Sequence, residues 1–168
     1  MFFTLNFQHN PDCIIPTTLG NSIGGDAHSV IANVCQVIAD LECGRFAVGG
    51  FGDDDWPVDE RTDLAVLLEQ LPEAINSVQG NITNSFVVDF FEQGVERTLH
   101  FDRVKDQYSI KCDSMLSWQP TIEREFISVV ELDRMLVSIR NAFFEFALQL
   151  PLKPEAIAVL RQWARPVQ

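Results

Sequence analysis

The sequence predicts an α+β fold: an antiparallel sheet built on a meander at 85–113, packed against helices, with an αα hairpin at the C-terminal end. Three observations predict it. Apolar and polar residues alternate through successive runs between Phe86 and Cys112. The stretches 62–79 and 131–149 carry apolar residues at helical spacing. Two amphipathic segments near the end are separated by Pro151 and Pro154. Period two marks half-buried strands and period 3.6 marks half-buried helices.

From the start, Phe3, Leu5 and Phe7 alternate with Thr4, Asn6 and Gln8, so Met1 to Gln8 reads as a strand that opens the sheet. Pro11, Pro16, Gly20, Gly24 and Gly25 make Pro11 to Gly25 a long loop. From Asp26 to Glu42, Ser29, Asn33, Gln36 and Asp40 recur at helical spacing, which favours a helix. Against it stand Val30, Ile31, Val34, Val37 and Ile38, residues at home in strands. Arg45 to Phe51 is short and apolar, and Gly49 and Gly50 suggest a strand that bends or admits another backbone closely.

Thr62 is placed to cap a helix whose Leu64, Leu67, Leu68, Leu71, Ile75 and Val78 share one face, with Pro72 expected to kink or restart it. In the meander, Phe86, Val88 and Phe90 alternate, then Val95, Arg97, Leu99 and Phe101, then Tyr108, Ile110 and Cys112. Glu92 to Gly94 and Asp102 to Asp106 are its turns. Residues 122–129 read as a further strand. From Glu131, a helix presents Leu132, Met135, Leu136, Ile139, Phe143, Phe146 and Leu150 until Pro151 stops it. Pro154 opens the last helix, which carries Ile157, Leu160 and Trp163.

The 168 residues fit one globular domain, 1–168, and a composition 46% hydrophobic, with thirteen Phe and three Trp, has ample material for a core. No apolar run approaches the roughly 18 to 20 residues that cross a bilayer, and Met1 to Asn10 lacks the charge and apolar pattern of a signal peptide. A cytoplasmic location is expected. Twelve basic residues against twenty-four acidic ones give a net charge of −12, which repels nucleic acid and anionic lipid. The charge is uneven: no Lys or Arg precedes Arg45, and 53–63 holds six carboxylates against one Arg. Cys13, Cys35, Cys43 and Cys112 form no CxxC pair and are expected to be reduced and mostly buried.

Motifs for chemistry are missing: there is no GxSxG, no GxxxxGK with Ser or Thr, and no GxGxxG. His9 and Cys13 have metal-like spacing, but zinc would need two further ligands, such as His28 and Cys35; a buried Cys beside a surface His is the simpler reading. His100, between Leu99 and Phe101, reads as a solvent-facing or hydrogen-bonded imidazole. Asp53, Asp54, Asp55 and Asp59 resemble a cation loop only loosely, because Pro57 and Val58 stand where an EF-hand needs an oxygen ligand and a glycine. The expectation is no enzyme, no cofactor and no metal.

Protein binding fits better. Trp56 sits among Asp53, Asp54, Asp55, Asp59 and Glu60, between Gly52 and Pro57. An exposed Trp ringed by polar groups is a common binding anchor, so these six residues form the candidate partner-binding site. Simpler readings are a solvated surface that keeps the chain soluble, or carboxylates gathered at a helix start.

With GRF at 44–46, FGDDDWPVD at 51–59, FFEQGVERTLHF at 90–101 and a C-terminal helix pair, the chain resembles the small acidic immunity proteins of bacterial polymorphic toxin and contact-dependent inhibition systems. The likeness is one of general build over most of the chain. It implies a cytoplasmic antidote that binds a cognate protein toxin, often a nuclease with a basic cleft, and blocks its active site. The alternatives are an adaptor or assembly subunit for another protein, or a divalent-metal hydrolase using Asp53, Asp55 and Asp59.

Overall fold

The computed structural model describes residues 3–17, 19, 23–80 and 84–165. The expected start of the first strand at Met1 and Phe2, part of the loop up to Gly25, and the last residues of the tail lie outside them. The elements run β1 (Thr4–His9), α1 (Ala27–Asp40), β2 (Gly44–Gly49), α2 (Asp63–Gly80), β3 (Ser85–Phe90), β4 (Arg97–Val104), β5 (Gln107–Ser114), β6 (Glu125–Ser128), α3 (Val129–Ala147) and α4 (Pro154–Trp163). The α+β class and the C-terminal helix pair are as the periodicity predicts. Among the described residues, no helix is long and apolar enough to cross a membrane.

Two antiparallel sheets form. β1 pairs with β2, setting Leu5 opposite Val48 and Phe7 opposite Phe46. β3, β4, β5 and β6 make a four-stranded meander in sequence order. Phe86, Phe101 and Ile110 share one row of it, and the rings of Phe86 and Phe101 stack with centroids 4.5 Å apart. Such cross-strand pairs hold register, because a one-residue slip would turn each aromatic ring to solvent. The opposite face carries Val87, His100 and Lys111 in one row and Asp89, Thr98 and Asp113 in the next. Asp113 there takes ion pairs from His100 and Lys111.

Helices cover the apolar faces: α2 lies against β3, α3 against β1 and α2, and α1 against α2 and α4. α1 forms despite its β-branched residues because Val30, Ile31, Val34, Val37 and Ile38 fall on one buried stripe, and the Asp26 carboxylate accepts from the Ser29 N–H. A reciprocal box between Ser128 and Glu131 starts α3. The rings of Phe143 and Trp163, 5.4 Å apart, join α3 to α4.

Three expectations are corrected. The Thr62 hydroxyl does not cap α2: it donates, as does the Thr62 N–H, to the Asp59 carboxylate in the turn ahead of the helix, so its oxygen is turned away from the open N–H groups of the first turn. Pro72 does not restart α2, which is helical through it. Proline removes the N–H that would reach the Leu68 carbonyl, and the Trp163 indole N–H donates to that carbonyl instead, at 2.9 Å and fully enclosed. Nor are all four cysteines free: Cys13 and Cys43 are disulfide-bonded, with Cα atoms 5.4 Å apart, while Cys35 and Cys112 are buried thiols. The reason is topological. Pairing His9 with Gly44 places the chain leaving β1 beside the chain entering β2.

Candidate functional site

The acidic loop leaves β2 through a tight backbone crossing. Gly49 faces the Asp54 carbonyl so closely that a Cβ there would sit 2.5 Å from its oxygen, which bears out the expectation of a close backbone approach. Gly50 and Asp53 exchange backbone hydrogen bonds. Between them, Phe51 adopts a left-handed φ of 60°, and Gly52 (φ 90°) has no room for a Cβ beside the Thr121 hydroxyl. A left-handed Phe is costly and persists only where its surroundings over-determine it. Here the Phe51 N–H donates to the Glu125 carboxylate, its carbonyl accepts from Thr121, and its ring is buried.

Trp56 is the principal correction. Its side chain is 2% exposed, packed edge-on against Phe90 and tilted against Phe51 and Trp118, and its N–H reaches the Gly50 carbonyl at 3.4 Å. It is an internal brace, not a free anchor. The physical reason is that the loop folds back, with the Trp56 backbone N–H bonding to the Val48 carbonyl of β2, so the ring is directed into the core.

Arg97 shares the inward phase of Leu99 and Phe101 along β4, which puts a charge on a buried row. Arg97 is 4% exposed. Its guanidinium carbon lies 3.6 Å from the Trp118 ring centroid and 4.3 Å from that of Trp56, and its Nη2 pairs with Asp53 at 3.0 Å. Two indole faces and one carboxylate thereby stabilise a cation withdrawn from water. Asp53 holds that buried charge and is itself mostly covered. The missed signal was an inward-phase Arg opposite a run of carboxylates.

The remaining members of the predicted set divide. Asp59 fixes the turn before α2 through Thr62 and receives no binding role from that geometry. Glu60 accepts from the Phe46 N–H at 2.8 Å and ties the loop to β2. Asp54 and Asp55 are exposed at the tip, and Asp55 stands 4.0 Å from an equally exposed Arg45, a contact of little energetic weight. Asp53, Asp55 and Asp59 therefore do not converge, and no group of three His, Cys, Asp or Glu side chains suited to a metal occurs among the described residues. His9 and Cys13 likewise form no such group, since Cys13 is bonded to Cys43.

No family model, no curated protein and no solved structure matches the chain.

Proposed function

We propose that the chain is a cytoplasmic immunity protein that binds a cognate toxin domain with a basic surface and neutralises it by covering its active site. The observation that carries this is electrostatic: a protein of net charge −12 presents Asp54 and Asp55 on a loop braced from beneath by Trp56, Arg97 and Glu125. A rigid, negatively charged projection loses little entropy on binding and steers a basic partner by long-range attraction. The toxin assignment itself rests on the resemblance in build. The Cys13–Cys43 bond weighs against the cytoplasmic part of this reading, because a cytoplasm keeps such pairs reduced; thiol trapping in the producing cell that finds the pair oxidised would overturn the location.

Co-expression with the product of the adjacent gene tests the function directly: toxicity of that product alone, protection of growth by this chain and a stable complex are expected. Asp54→Asn with Asp55→Asn should slow association about tenfold or more at low salt and flatten its salt dependence, with dissociation little changed. No complex with the neighbouring product, or association rates unmoved by the double change, would remove the reading. Trp56→Ala acts differently, costing about 3 kcal/mol or more of folding stability because the ring is core.

A further inference from the structure

The outer stripe of α3 is self-complementary. Val130, Arg134, Ser138, Asn141, Glu145 and Leu148 are all exposed, and at 3.6 residues per turn they fall within about 80° of the helix circumference along roughly 27 Å. Read from either end, the order is apolar, charged, small polar, small polar, charged, apolar. The two charges are of opposite sign at mirror-related positions. Val130 near the start of α3 is 65% exposed and Leu148, its C-cap residue, 45% exposed. A hollow of about 590 Å³ runs along the same stripe, lined by Val130, Arg134, Ser138, Asn141 and Glu145 among others, and leaves room for a facing ridge of side chains. Among the described residues no ion pair engages Arg134, while Glu145, whose side chain is 70% exposed, stands 3.9 Å from the His9 imidazole, a contact of little energetic weight.

We infer that this stripe is the interface for a second copy of the chain, paired antiparallel across a two-fold axis midway between Ser138 and Asn141. A two-fold interface must present each group and its complement at symmetry-related places on one surface, and a stripe serving an unrelated partner has no such requirement. The pairing sets each Arg134 beside Glu145 of the second copy, Ser138 beside Asn141, and Val130 beside Leu148. Two ion pairs and two apolar contacts result, closing the ends of the stripe over a centre small enough for close approach. One helix pair is a small interface, so the association is weak and concentration-dependent. This surface is separate from the acidic loop and independent of the reading above.

Sedimentation velocity at physiological salt, up to about 0.5 mM protein, tests it at concentrations where so small an interface still shows. Reversible dimers are expected. Arg134→Glu and Glu145→Arg should each weaken dimerisation tenfold or more, although the first moves the net charge further from zero and the second towards it, which separates the pairing from general repulsion. Mixing the two single variants should restore dimers, as should the double variant carrying both changes. All are surface changes, and circular dichroism confirms that each variant is folded. A wild-type chain that stays monomeric overturns the assignment and leaves the stripe to a different protein. Dimers indifferent to the reversals, or single variants that fail to rescue each other, overturn it equally.

Discussion

At the scale of single residues, the structure is governed by where charge is withdrawn from water. Arg97 is accommodated by Asp53 and two indole rings, and Glu125 holds the strained Phe51 through its backbone N–H. Asp63 is a third such case, and like Arg97 and Glu125 it keeps a buried polar atom without a hydrogen-bond partner among the described residues. It is 2% exposed at the start of α2; its Oδ2 accepts from the Asp59 N–H, and its Oδ1 is buried without a partner. Burial pushes its carboxyl from the ordinary 3.8 up to about 6, the Asp59 N–H bond opposes this, and the Asp59 and Glu92 charges add to it. A folded-state value above the unfolded one means that the native state binds the extra proton. The resulting stability is present below about pH 4 and is lost as pH rises towards about 6. The difference in unfolding free energy between wild type and Asp63→Asn should therefore fall across that window and level off above it, as measured by urea denaturation at a series of pH values. Parallel curves would show that folding leaves the Asp63 carboxyl at its unfolded value, with no extra proton held by the native state.

At the scale of elements, α2 and α4 depend on each other through one carbonyl. Pro72 lies in a helix whose apolar residues are buried nearly all round, and the hydrogen bond it forgoes is replaced from α4 by Trp163. A buried carbonyl left without a donor costs about 1–3 kcal/mol. Trp163→Phe should cost about that much in the wild-type chain, plus a smaller packing loss. In a Pro72→Ala background the alanine N–H can serve Leu68, so the same change should cost about 1 kcal/mol less or better, giving a coupling energy in a double-mutant cycle. Additive effects would mean that the indole bond contributes nothing beyond packing. The remaining elements need no such device, since α1 and α3 carry their own side-chain caps.

Across the whole molecule, the disulfide and the net charge act on the unfolded chain and on the encounter with partners rather than on local geometry. Cys13 and Cys43 are 30 residues apart, and closing a loop of that size removes unfolded-state entropy worth about 3–4 kcal/mol. Chemical denaturation with and without a reductant should show a loss of that order, with Cys13→Ser/Cys43→Ser reproducing it and insensitive to the reductant. The buried thiols play no part in that response: burial raises Cys35 well above an ordinary thiol and pushes Cys112 up to about 12, so neither is a thiolate at neutral pH. A chain equally stable in both conditions would place the Cys13–Cys43 bond outside the native constraint.

What the sequence determined by itself was the type of most elements, α1 excepted because its polar spacing and its β-branched residues pulled opposite ways, and the inward phase of β1, β3, β4 and β5. The alternation through Phe86, Val88 and Phe90 and the stripe from Leu132 to Phe146 are local consequences of backbone geometry, readable wherever one face is buried. Net charge and the position of the acidic run belong to the same category. Only the tertiary structure decided which of those acidic residues remain available. It set Asp53 against an arginine 44 positions away, joined Cys13 to Cys43, turned Trp56 inward, and matched Trp163 to a carbonyl 95 positions distant. Such pairings follow from how elements dock, and docking depends on the packing of every face at once. A window of neighbouring residues carries the period of a strand or helix, but not the identity of what lies across the core from it.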